Sequence, residues 1–261
     1  MRIGFVGAGT MASALAAAIS ASQPDAEFTA YDISAERLAR FRSALSHFLP
    51  ADDNARVAAT SDVMFLAVKP QIMAEILPDL ADTDGLVVSV AAGVRIATLE
   101  DAMPRARVVR VMPNTPCLVG EMAAGYAGGG KTTPKDLETV ERLLSSAGVA
   151  VELPEHLLDA VTGLSGSGPA FVARLVEAFT DAGEAEGLTR DVAYRLALAT
   201  FSGTVHLLER KRLEPDELVS MVSSPGGTTV AGRRVLESSD YRDVIKRTVA
   251  AATERSKELG S

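Results

Sequence analysis

The chain has no tryptophan, a single cysteine and only three histidines in 261 residues, and each shortage removes a class of chemistry. Cys117 has no partner within the chain, so an internal disulfide is excluded and a reducing cytoplasm is the expected compartment. His47, His156 and His206 stand far apart and none falls in a ligand-spaced motif, so no metal centre is expected. No uninterrupted apolar run approaches the roughly 20 residues of a membrane helix. With 34 acidic against 26 basic residues the net charge is −8. That balance offers no electrostatic footprint for nucleic acid or an anionic membrane.

What the chain does contain is apolar residues, at 47% of the total, enough for one large or two moderate cores. A boundary near residue 155 divides it into an expected dinucleotide-binding domain, residues 1–155, and a helical domain, residues 156–261. In the first part, strand-like runs alternate with helical segments: Ile3 to Val6, Glu27 to Tyr31, Val63 to Val68, Leu86 to Val90, Val108 to Met112 and Val149 to Leu153. Such alternation predicts an α/β fold with a mainly parallel, doubly wound sheet of Rossmann type. The first strand runs into Gly7-Ala8-Gly9-Thr10-Met11-Ala12 and an alanine-rich helix. Gly7 permits the tight turn, Gly9 lets the backbone approach a pyrophosphate, and Ala12 is small enough for close helix–strand packing. Arg2 and the small residues from Ala12 to Ala21 also resemble a secretory signal, but one charge and the interrupting glycines favour strand–turn–helix. Asp32 closes the second strand, where an acidic side chain would meet the adenosine ribose.

Ligands gather at the carboxyl edge of such a sheet. There the sequence has Ala67-Val68-Lys69-Pro70, Ala91-Ala92-Gly93 and Met112-Pro113-Asn114-Thr115-Pro116, small residues and prolines that end strands abruptly. Beyond His156 the spacing predicts helices over Gly168 to Gly187, Asp191 to Arg210, a third through Leu236 and a last from Tyr241 to Leu259. Phe171, Leu175, Phe179 and Ala182, and then Val192, Leu196, Ala199, Gly203 and Leu207, keep helical spacing and read as core. Their face is broad for a domain of this size, so a second subunit is expected to complete part of it. Gly163-Leu164-Ser165-Gly166-Ser167-Gly168-Pro169-Ala170 reads as a flexible turn, either packing under a nicotinamide or acting as an interdomain hinge. Ser223-Ser224-Pro225-Gly226-Gly227-Thr228-Thr229 opens a helix with a Gly-Gly turn, free N–H groups and two hydroxyls, an arrangement suited to a carboxylate or simply to starting the helix.

Taken in order along the chain, these motifs closely resemble pyrroline-5-carboxylate reductase over nearly the whole length, from Met1 to about Leu259. The resemblance implies reduction of the cyclic imine 1-pyrroline-5-carboxylate to L-proline with NADH or NADPH. It implies that Val6, Gly7, Ala8, Gly9, Thr10 and Met11 cradle the pyrophosphate and that Asn54 contacts the adenosine side. Ala67, Val68, Lys69, Pro70, Ala91, Ala92 and Gly93 would line the nicotinamide half of the cofactor, and Asn114 would also bind the cofactor. Ser224, Gly227, Thr228 and Thr229 would hold the substrate, with the Thr229 hydroxyl on the ring nitrogen. Family members form dimers through the helical domain and often pentamers of dimers. A cyclic imine is protonated near neutral pH without help, so positioning matters more than a strong protein acid, in keeping with the scarcity of histidine.

Two departures qualify the match. Asp32 stands where many relatives carry a small hydroxyl or amide residue; it would repel a 2′-phosphate and favour NADH, although Arg37 and Arg40 are near enough in sequence to pair with one. Met122-Ala123-Ala124 replaces a more usual Gly-Met-Thr, which removes a threonine contact. The alternatives are a related imine or β-hydroxyacid dehydrogenase and a non-catalytic dinucleotide-binding regulator. The first would be expected to carry a lysine or aspartate on the first long helix of the second domain, where Pro169-Ala170-Phe171-Val172-Ala173 has none.

Overall fold

The computed structural model describes residues 1–260. Eight strands form one sheet: β1 (Arg2–Val6), β2 (Glu27–Tyr31), β3 (Phe48–Pro50), β4 (Val63–Leu66), β5 (Leu86–Ser89), β6 (Arg107–Met112), β7 (Met122–Gly128) and β8 (Gly148–Glu152). Their order is β3-β2-β1-β4-β5-β6-β7-β8. Every pairing is parallel except β6 with β7. The connecting helices are α1 (Thr10–Ser22), α2 (Ala35–Ser43), α3 (Asn54–Thr60), α4 (Pro70–Ile76), α5 (Ile96–Ala102), α6 (Pro134–Ser145) and α7 (Leu158–Val161).

Alternation along the strands sends successive side chains to opposite layers, as the pleat demands. Phe5, Phe28, Phe65, Val88 and Val109 join one core with Leu15 of α1, Phe41 of α2 and Leu143 of α6. Met64, Leu66, Val87 and Val108 join the other with Val57 of α3, Met73 of α4 and Leu99 of α5. Phe5 stacks on Phe65 with ring centroids 4.8 Å apart and meets Phe41 edge-on at 5.1 Å. Full burial of each such side chain is worth roughly 1.5–3 kcal/mol, which makes the β1–β4 pair the stiff centre of the sheet.

Two strands lie where the sequence pattern showed none. β3 is a three-residue edge strand held by backbone pairing to β2, with Leu49 72% exposed. Five of the seven residues of β7 are alanines or glycines, poor strand formers, yet it sits between β6 and β8. Gly125 belongs there because a side chain would meet Val161 at 2.8 Å. The segment expected to be a flexible turn from Gly163 is instead helical, a π-type turn over Thr162–Gly166 that follows α7 directly. A Cβ at Gly163 would lie 2.1 Å from the Thr253 hydroxyl, so tight packing, not flexibility, explains that glycine.

Packing divides the chain into Met1–Ser167 together with the residues from Val249 onward, and Gly168–Thr248. This differs from a division at 155/156, because Leu158 is fully buried in the sheet's second core and the Asn114 amide donates to the Ser165 carbonyl at 3.0 Å. The last turns of the chain belong to the same unit: Ser256 donates to Asp159 at 2.7 Å and Arg95 to the Gly260 carbonyl at 2.8 Å.

The second unit is helical, with α8 (Gly168–Ala185), α9 (Arg190–Lys211), α10 (Pro215–Met221), α11 (Thr228–Ser238) and the start of α12 (Tyr241–Leu259). The short α10 went unmarked in the sequence reading, although Pro215 at its start and reciprocal capping by Glu214 and Glu217 signal it. α8 and α9 pack through Phe179 and Phe201, edge-on at 5.1 Å, and through Gly183 against Ala193. Only Val176, Thr180, Ala193 and Ala197 are buried in these two helices. Leu175, Phe179 and Leu196, which their spacing assigns to a core, are exposed in the single chain, Phe179 by 57%.

Candidate dinucleotide and substrate sites

The strand order reverses beside β1, whose neighbours β2 and β4 lead in opposite directions, and the glycine loop leaves the sheet at that switch point. Gly7 has φ +93°, a conformation that L side chains rarely adopt, and an added Cβ would sit 2.9 Å from the Ala67 carbonyl and the Val68 side chain. Gly9 caps α1 with no side-chain hydrogen bond, and nothing lies within 4 Å of where its Cβ would be. The first N–H groups of α1 therefore face open space that the absent side chain leaves free. A cofactor pyrophosphate fits that space and that potential.

Ala67, Val68, Lys69 and Pro70 follow β4, and Ala91, Ala92 and Gly93 follow β5, so both segments reach the carboxyl edge beside the glycine loop. Gly93, at φ +79°, is close-packed from behind: an added Cβ would be 3.2 Å from the Leu259 carbonyl oxygen. The start of α5 is fixed by Glu155, whose Oε1 accepts from the Ile96 N–H at 2.8 Å and from Arg110 Nη1 at 3.1 Å. Arg110 is only 5% exposed, within the otherwise apolar stretch Val108 to Met112 of β6. Sequence reasoning passed over this pair, and its signal was the lone charge within Val108-Val109-Arg110-Val111.

Three expected cofactor residues have their side chains engaged within the protein. Asn114, 7% exposed, accepts from the Ala123 N–H at 2.9 Å through Oδ1 and donates to the Ser165 carbonyl at 3.0 Å. It joins β7 to the π-type turn. The Ala123 that departs from the family pattern thus contributes its backbone. Asn54, 8% exposed at the start of α3, donates to Asp79 Oδ2 at 3.0 Å. Asp32 is likewise turned inward, accepting from the Ala8 and Ser34 N–H groups and from Arg37. Cys117 is buried, and burial pushes its thiol up to about 11, which disfavours the nucleophilic thiolate.

In the helical unit the turn before α11 is exposed. Gly226 has φ +71°, and Gly227 caps the helix with no side-chain hydrogen bond. A Cβ at Gly227 would lie 2.5 Å from Ser224 Oγ, so glycine is what allows the serine hydroxyl to lie across the helix start. The Gly227 N–H donates to the Ser224 carbonyl at 2.9 Å, closing the turn. Thr228 and Thr229 are the first two helical residues and both are exposed. Such a turn can hold a carboxylate on N–H groups and hydroxyls. Among the described residues no group of three or more His, Cys, Asp or Glu is placed to hold a metal, and no helix is long and apolar enough to cross a membrane.

A Rossmann-type sheet with an open glycine loop at its switch point, followed by a helical region, is the architecture of a dinucleotide-binding oxidoreductase. Residues 155–259 match the family model for pyrroline-5-carboxylate reductase dimerisation, and residues 2–93 that for NADP oxidoreductase, coenzyme F420-dependent. A pyrroline-5-carboxylate reductase of Methanosarcina acetivorans is 43% identical, covering 99% of this chain and 98% of its own length. The structure of the Coxiella burnetii reductase superposes with a TM-score of 0.92 at 31% identity, covering 99% of this chain and 98% of that one. That of Plasmodium falciparum pyrroline carboxylate reductase, solved with NADP bound, gives 0.84 at 31% identity over 100% and 98% of the two chains. The chain belongs to the pyrroline-5-carboxylate reductase family.

Proposed function

We propose that the chain reduces 1-pyrroline-5-carboxylate to L-proline, and that its two candidate sites divide the labour. The observation that carries this reading is the Ser224–Thr229 turn, with its glycine-capped helix start, in a chain matching reductases of this name from end to end. The nicotinamide, when bound, supplies the hydride. The loop from Val6 to Met11 binds its pyrophosphate, and the ends of β4 and β5 bound its nicotinamide half. The N–H groups at the start of α11 and the Ser224 and Thr228 hydroxyls hold the substrate carboxylate. The Thr229 hydroxyl orients the ring nitrogen, which carries its proton from solvent. No strong protein acid is required, so catalysis rests on alignment.

The functional division is taken at residues 155/156, where the dimerisation model begins. The uncovered apolar faces of α8 and α9 support assembly as a dimer, with pentamers of dimers as the larger state. A buried, unreactive single cysteine suits a reducing cytoplasm. The test is conversion of 1-pyrroline-5-carboxylate by the purified protein with NADH and with NADPH, detecting proline. Thr229→Ala should lower kcat/KM by about 10- to 100-fold, the loss of one transition-state hydrogen bond, while nucleotide affinity stays within two-fold. Wild-type turnover with unchanged kinetics in Thr229→Ala removes that residue from the mechanism; no proline formation by the wild type removes the activity.

A further inference from the structure

The residue that the sequence marks as selecting NADH is held in a different role. The Asp32 side chain is only 7% exposed. Its Oδ2 accepts from the Ala8 N–H at 2.8 Å, within the glycine loop. Its Oδ1 accepts from the Ser34 N–H at 2.8 Å and from Arg37 Nε at 3.1 Å, with Arg37 Nη2 at 2.9 Å. Three N–H groups thus hydrogen-bond to the two oxygens, and Arg37 Nη2 adds an ion pair on Oδ1, so Oδ1 is filled while Oδ2 keeps one acceptor position. A ribose diol could reach only the remaining acceptor position of Oδ2, on a side chain the protein almost wholly buries, and a second contact would have to break the charge-assisted pair.

The pair also changes the local charge. Arg37 neutralises Asp32 while its own side chain remains 42% exposed; of its five N–H groups only Nε–H hydrogen-bonds to the aspartate, with Nη2 in ion-pair range. Arg40, one turn on, is 68% exposed and meets Glu36 only at 3.7 Å. Ser34 caps α2 by accepting from the Arg37 N–H, which ties the arginine's backbone to the same corner. At the end of β2 itself the exposed charge is therefore the Arg37 guanidinium and not the Asp32 carboxylate, with the exposed Arg40–Glu36 pair beside it.

Given the dinucleotide reading of the glycine loop, on which this rests, we propose that Asp32 is a positioning residue, which fastens the loop to the start of α2 and aims Arg37 at the 2′-phosphate of NADPH, so that the chain selects NADPH over NADH. Arg37 is the specificity determinant, and Asp32 acts through it.

Calorimetric titration of the wild type, Arg37→Gln and Asp32→Asn with NADP+ and with NAD+ tests this without recourse to turnover. The wild type should bind NADP+ at least about ten-fold more tightly, the scale of one guanidinium–phosphate pair. Arg37→Gln should lose that preference, with weaker NADP+ binding and NAD+ binding that holds or improves as Asp32 is released. Asp32→Asn should weaken both nucleotides, because the loop loses its fastening. Tighter NAD+ than NADP+ in the wild type, or an Asp32→Asn variant that loses NAD+ alone, overturns the proposal and returns Asp32 to the ribose. An unchanged preference in Arg37→Gln overturns it as well. If the wild type binds neither nucleotide, the dinucleotide reading itself falls and takes the proposal with it.

Discussion

Replacing Asn114 with alanine separates a structural asparagine from a cofactor ligand. In the structure both halves of its amide are used, Oδ1 by the Ala123 N–H at 2.9 Å and Nδ2 by the Ser165 carbonyl at 3.0 Å, in a side chain that is 7% exposed. Alanine removes two hydrogen bonds of about 1 kcal/mol each and leaves a partly buried N–H and carbonyl to find water, so the expected loss is about 2–4 kcal/mol. For a chain of this size that corresponds to a fall in melting temperature of roughly 5–15 °C. The assay is urea unfolding at fixed protein concentration, since assembly makes the midpoint depend on it. Asn114→Asp sharpens the test: it keeps an acceptor for Ala123 but turns a carboxylate towards the Ser165 carbonyl, and should destabilise at least as much. Nucleotide affinity, measured below the unfolding transition, should fall by less than about three-fold in the alanine variant, because no contact to the cofactor is lost. An Asn114→Ala protein that unfolds at the wild-type midpoint but loses nucleotide binding would refute the bridging role.

Gly7→Ala should abolish nucleotide binding or folding, because positive φ adds about 1–2 kcal/mol of strain to a Cβ placed 2.9 Å from the Ala67 carbonyl; circular dichroism and calorimetry distinguish the two outcomes, and normal binding would refute the close approach. Asp136 caps α6 and pairs with Arg107. Burial alone would raise its carboxyl, but hydrogen bonds from Thr133 and Arg107 outweigh that and hold it below the ordinary 3.8. A depressed carboxylate contributes stability that is complete above its unfolded value and is lost as pH falls through the folded one. Asp62, held low by Arg2, acts in the same direction. Asp136→Asn should therefore lower stability at pH 7 by an amount that shrinks as pH falls below about 3.8 towards 2. A pH-independent difference between the two urea midpoints would rule out this linkage.

Residues close in sequence carried most of what could be read in advance. Strand–turn–helix at Gly7, the strand ends at Ala67 and Ala91, and the glycine-capped start of α11 all express backbone rules that act over a few residues. The exact span of α12, Tyr241–Leu259, follows from the same local periodicity. β7 escaped notice because its alanines and glycines have little preference for extended structure; only the neighbouring strands and the close approach of Val161 make it a strand.

The side-chain partners lay beyond such rules. Asn114 reaches Ser165 across 51 residues, Asp32 reaches Ala8 across 24, and Arg110 finds Glu155 across 45. Whether a carboxylate at the end of β2 awaits a ribose or is already filled depends on donors that folding brings to it. The sequence by itself thus determined the class of fold, the family and the two candidate ligand loops. Tertiary structure alone decided which polar groups at those loops remain free, because a hydrogen bond depends on position and direction in space and not on spacing along the chain.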